Sequence, residues 1–154
     1  ELGTTLTVIL LIDYKQYIIA QVGDSRTYRI DSALVQLTED QSFVAREIKR
    51  GNMTEEEALT DPRRNVLLQC IGASQEVLPD FYRGTVFPGS LFLLCSDGFR
   101  HEISEQELYM QLQPSVLTTE EMMKERLVYL TELVKSRMEM DNISAVVMKT
   151  VQEG

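Results

Sequence analysis

The chain has 154 residues, 44% hydrophobic and 25% charged, which suits one soluble domain with a real core and excludes a disordered or fibrous protein. Its formal net charge of −9 lacks the basic footprint of a nucleic-acid binder. Two cysteines and one histidine exclude a disulfide framework and a Cys/His zinc set, and no apolar run reaches the roughly 20 residues of a membrane span, so the reducing cytoplasm is the expected compartment.

Residues 4–12 (TTLTVILLI), rich in β-branched and large aliphatic side chains, predict a buried strand, with 17–22 (YIIAQV) as its hairpin partner across Asp13-Tyr14-Lys15-Gln16. A meander is expected to continue through 27–30 and 34–38, interrupted by Gly23-Asp24-Ser25. From Ser42 the period changes to helical, Gly51 stops that helix, and Thr54 with Glu57 forms a capping box for a second one that ends at Asp61-Pro62. Residues 82–87 and 91–95 then read as a hairpin around Pro88-Gly89-Ser90. A capping box at Ser104 and Glu107 opens another helix, and Met123, Leu127, Leu130 and Val134 mark the inner face of a longer one over 119–137. A final buried strand is expected over 143–148, and strands, then helices, then a last strand is the order of an α+β protein.

Three aspartates share one setting. Asp24 follows the strand ending at Val22, Asp97 follows the strand ending at Cys95, and Asp141 precedes the strand opening at Ile143. If those strand ends meet, the carboxylates converge, and carboxylates at close range stay ionised together only beside a cation. An oxygen-only site favours Mg²⁺ or Mn²⁺ over zinc, and such ions activate water for in-line attack on phosphorus without a protein nucleophile. Cys70 and Cys95 lack the basic neighbours and Gly-rich loop of a cysteine phosphatase. Singly, each aspartate also fits ordinary turn chemistry. Arg26, Arg63 and Arg64 suit either a phosphate or a surface acid, and His101 suits either an acid near the site or an exposed turn.

The strings GTTLTVIL (3–10), VGDSRTYRI (22–30), LTEDQSF (37–43), TEEEA through DPRRNVLLQCIG (54–72), LFLLCSDGF (91–99) and DNISAVV (141–147) resemble, in the same order, the metal-dependent serine/threonine phosphatases of the protein phosphatase 2C type, bacterial branch. That resemblance implies part of a four-layer sandwich of antiparallel β-sheets flanked by helices, and hydrolysis of phosphoserine and phosphothreonine in protein substrates with Mg²⁺ or Mn²⁺. It implies that Asp97 and Asp141 are ligands of a binuclear centre, that Asp97 reaches a third, weaker site with Asp24, and that residues 42–64 are a helical flap over the site. The family's N-terminal motifs, an arginine that grips phosphate and an Asp-Gly that bridges both metals, have no counterpart here. Arg137-Met138-Glu139-Met140 stands where the family commonly has glycines before its last Asp-Asn. Residues 1–154 are therefore expected to be the C-terminal part of a single phosphatase domain, little active alone, and prone to self-associate through exposed strand edges. The competing expectation is an inactive phosphatase-like binding or regulatory module.

Overall fold

The computed structural model describes residues 2–151. In chain order the elements are β1 (Leu6–Ile12), β2 (Gln16–Val22), β3 (Arg26–Ile30), β4 (Leu34–Gln36), α1 (Phe43–Lys49) and α2 (Glu55–Thr60). They continue with β5 (Asp80–Thr85), β6 (Leu91–Cys95), α3 (Asp97–Arg100), α4 (Glu105–Gln111), α5 (Glu120–Ser136) and β7 (Ala145–Lys149). The strands form two antiparallel sheets, one in the order β1-β2-β5 and one in the order β4-β3-β6-β7, which is the α+β architecture expected.

The middle strand β6 explains the layering. Its sequence, Leu-Phe-Leu-Leu-Cys, is apolar throughout because neighbouring side chains point to opposite faces and both faces are covered. Leu91, Leu93 and Cys95 pack with Phe99, Leu108, Leu112, Leu130 and Val134 from the helical layer, while Phe92 and Leu94 meet Tyr17 and Ile19 of the other sheet. The rings of Tyr17 and Phe92 sit edge to face at 5.5 Å. Three layers result: sheet, sheet, helices. Met122 and Met123 of α5 pack against the helix-side core, as their spacing predicts.

Both capping boxes form. The Thr54 hydroxyl accepts from the Glu57 amide at 3.2 Å while the Glu57 carboxylate accepts from the Thr54 amide at 2.7 Å, and Ser104 and Glu107 repeat the exchange at 3.2 and 2.9 Å.

Three local expectations change. β5 and β6 are not a hairpin: β5 pairs with β2 and β6 with β3 and β7, so the Pro88-Gly89-Ser90 turn crosses between sheets. Its turn is fastened instead to the chain end, the Gly89 amide donating to the Thr150 carbonyl at 2.8 Å. The meander likewise breaks at Gly23-Asp24-Ser25, where the chain leaves the first sheet and enters the second. Finally, β1 is an edge strand partly buried on one face only, with Leu6, Val8, Leu10 and Ile12 exposed on the other.

Candidate functional site

Sheet register decides where the three aspartates go. Arg26 of β3 lies opposite Cys95 of β6, and Cys95 lies opposite Ala145 of β7. That row is the end of the second sheet at which β3 begins, β6 ends and β7 begins. Asp24 stands two residues before Arg26, Asp97 two residues after Cys95 and Asp141 four residues before Ala145, so all three are delivered to the same sheet end.

The β6–β7 side is drawn tight by Ser96. Its amide donates to the Ser144 carbonyl at 2.9 Å and its hydroxyl to the Asn142 carbonyl at 3.1 Å. Gly98 is buried in the same contact, and a Cβ there would stand 2.5 Å from the Asn142 carbonyl oxygen and 3.2 Å from the Asp141 Cβ. Only a residue without a side chain lets the Asp141 turn lie against the start of α3. Asp141 is exposed, its Oδ1 accepting from the Asn142 amide at 2.7 Å and its own amide held by Glu139 Oε1 at 2.8 Å.

Asp24 occupies a buried turn. Gly23 has a φ of +102°, and any side chain at that position would run into Thr5. Burial pushes the Asp24 carboxyl up to about 6, the negative charge of Asp97 pushes the same way, and the Arg100 guanidinium opposes them. Asp24 and Asp97 are thus close enough to repel, while the Asp141 turn lies against Gly98, the residue after Asp97. Among the described residues no three His, Cys, Asp or Glu side chains close around one point. A structural zinc site, closed by four protein ligands, does not fit this set, whereas a hard cation that keeps several water ligands calls for fewer carboxylates.

The basic residues divide. Arg26 is bound to Asp40 through two bonds of 2.8 Å and to the Tyr28 hydroxyl at 2.9 Å, so its guanidinium is engaged inside the fold. Arg63 is held by Asp61 and stacks on the Phe43 ring at 4.2 Å. Arg64 donates once to the Leu59 carbonyl at 3.1 Å and, with Asn65, His101, Glu139 and Asp141, lines a cleft of about 370 Å³. His101 stands between two acids, Nε2 3.9 Å from Asp97 and Nδ1 3.7 Å from Glu139. Burial pushes the Cys95 thiol up to about 12, which rules it out as a nucleophile. A larger cleft of about 650 Å³ between α5 and β7 is lined by Met123, Leu127, Val128 and Val146 together with Glu120 and Glu132, and Asp24, Asp97 and Asp141 are not part of it.

No protein-family model matches the chain. Protein phosphatase PhpP of Streptococcus pneumoniae is 42% identical over 108 residues, 70% of this chain and 44% of its own length. A phosphatase named as 2C-type from Streptococcus pyogenes is 31% identical over 153 residues, 99% of this chain and 60% of its own. The crystal structure of the Mycobacterium tuberculosis serine/threonine phosphatase PstP superposes with a TM-score of 0.82 at 31% identity, over 97% of this chain and 61% of PstP. The chain belongs to the protein phosphatase 2C-type serine/threonine phosphatase family. It spans less than two thirds of the length of each of these relatives. A further PstP structure, alike at a TM-score of 0.78 and 30% identity, holds two manganese ions.

The helical insertion expected at 42–64 is α1 and α2, clamped at its base by a bridge between Ser42 and Leu67 and by the Phe43 amide donating to the Val66 carbonyl at 2.8 Å. Arg64, its last residue, and Asn65 at its edge line the cleft that also takes in Asp141. Arg100 and Glu139 carry contacts to the aspartates that the motifs did not single out, and Asp40 holds Arg100 in turn. Arg100 stands three residues after Asp97 and Asp40 lies inside LTEDQSF, but which acid meets which base is set by β3 and α3 meeting in space.

Proposed function

We propose that this chain supplies part of the active site of a phosphoprotein phosphatase acting on phosphoserine and phosphothreonine, with Asp24, Asp97 and Asp141 holding Mg²⁺ or Mn²⁺. The observation that supports this reading is the register row of Arg26, Cys95 and Ala145, a sheet end from which Asp24, Asp97 and Asp141 are two to four residues away along the chain. A divalent cation bound there would polarise water and phosphoryl oxygens. In this reading Asp97, the first residue of α3, serves with both Asp24 and Asp141; Gly98 lets the Asp141 turn lie close to α3; and Arg64 of the flap, with Asn65 at its edge, lines the cleft that includes Asp141.

Because no three ligands close around one point among the described residues, we assign residues 1–154 to the C-terminal part of a single domain that binds the cation weakly and turns over little by itself. The cytoplasm, where thiols stay reduced, suits the two free cysteines. The exposed apolar face of β1, joined by Phe81 of β5, supports self-association of the 154-residue chain, to be read by light scattering.

The function is tested by incubating the chain with a phosphopeptide and Mn²⁺. Slow phosphate release that disappears with EDTA and in Asp97→Asn is expected. Release that survives Asp97→Asn contradicts the reading, and a chain that binds phosphopeptide with neither metal nor turnover would be the regulatory module instead.

A further inference from the structure

Arg100 has no part in the motifs or in the metal set, yet its side chain is only 12% exposed and reaches across to the Asp24 turn. One nitrogen, Nη2, donates to the Asp24 carbonyl oxygen at 3.2 Å and to Asp40 Oδ2 at 3.3 Å. Asp40 is already bound through both oxygens by Arg26, so a single carboxylate sits between two guanidinium groups that cannot lose their charge. Nε of Arg100 is buried without a partner, a cost that an apolar side chain in this place would avoid. The same residue closes the short helix that Asp97 opens, three positions apart and hence on neighbouring sites of one helix face.

We propose that Arg100 is a positioning residue: by tying the Asp24 carbonyl to the last residue of α3 and to the Asp40–Arg26 pair, it fixes the Asp24 carboxylate against that of Asp97. The inference rests on the metal reading above for its consequence, and on geometry alone for the tether. Two effects of Arg100 on a cation oppose each other. Its charge repels a divalent ion, whereas its bonds hold two ligands in place. The bonds decide here, because the guanidinium is spent on Asp40 and the carbonyl while the Asp24 turn has Arg100 as its link to α3.

The substitutions Arg100→Lys and Arg100→Met separate the effects, since lysine keeps the charge but not the planar fork and methionine keeps the packing but neither charge nor bonds. Amide hydrogen exchange of the 154-residue chain in EDTA is expected to rise about tenfold at residues 23–26 in both variants, with β7 unchanged as the sign of an intact fold. Mn²⁺ titration followed by electron paramagnetic resonance is expected to show affinity falling about tenfold in both. Unchanged exchange at 23–26 overturns the tether, as does tighter Mn²⁺ binding by Arg100→Met with Arg100→Lys like the parent, the pattern of a charge acting alone. If the parent chain binds no Mn²⁺, the metal reading fails while the exchange arm still judges the tether; if it binds and exchange is unchanged, the tether fails and the metal reading stands.

Discussion

Each of the two sheets holds a strongly apolar strand, β1 in one and β6 in the other, and the two strands end in different states. The β4-β3-β6-β7 sheet is covered on one face by α3, α4 and α5 and on the other by the first sheet, and Leu91, Phe92 and Leu93 of β6 have no exposed surface. In the β1-β2-β5 sheet only the inner face is covered, and Leu10 is 57% and Phe81 66% exposed. An aliphatic strand therefore says that a face can be buried without saying what buries it. The covered sheet carries the candidate site at one end, where register and close packing hold the aspartates; the open sheet contributes the strand that leads into the Asp24 turn and an exposed apolar surface.

The contrast is broken most forcefully at matched phenylalanines. Phe92→Ala removes a ring packed on both sides and is expected to cost about 3–5 kcal/mol, whereas Phe81→Ala should change stability by no more than about 0.5 kcal/mol. Urea unfolding of the two variants checks the pair, and equal losses would mean that the first sheet is covered after all. Gly98→Ala comes next. Its Cβ would press on the Asn142 carbonyl, so either the Asp141 turn or α3 must move, at about 1–3 kcal/mol together with weakened Mn²⁺ binding. Stability lost without any change in binding would detach Asp141 from the site.

The smallest effect belongs to the rim of the helical layer. The Arg137 guanidinium, at 2.6 Å, and the capping amide of Ser104 hold the Glu107 carboxyl down from 4.5 to about 2. A folded-state value below the unfolded one means that this contribution is complete above about pH 4.5 and disappears as pH falls toward about 2. Glu107→Gln should therefore lower stability slightly at neutral pH and flatten its acid limb in that window, as followed by thermal melts. Both partners are exposed, so the change is small.

Much of this was readable in the residues. The capping boxes at Thr54 and Ser104 formed because cap chemistry is local, and α5 was recognised because its apolar spacing spans 17 residues. The Gly-Asp-Ser-Arg, Ser-Asp-Gly and Asp-Asn strings pointed to one family because their separations are specific. The hairpin over Pro88-Gly89-Ser90 was misread because a tight turn has the same composition whether its strands pair or part between sheets. β1 was misread as buried because an apolar run reports capacity for burial, and the layer that would cover it is not encoded in the strand itself. Arg100 and Asp40 stayed hidden since a charged residue looks solvent-facing until a partner 60 positions away is brought to it.

The most direct test of the converging carboxylates is Mn²⁺ titration of the chain and of Asp24→Asn, Asp97→Asn and Asp141→Asn, read by electron paramagnetic resonance. The account predicts saturable binding that Asp97→Asn weakens most, since Asp97 stands next to both of the others, with each remaining variant weaker than the parent. Binding in all three variants indistinguishable from the parent would contradict it.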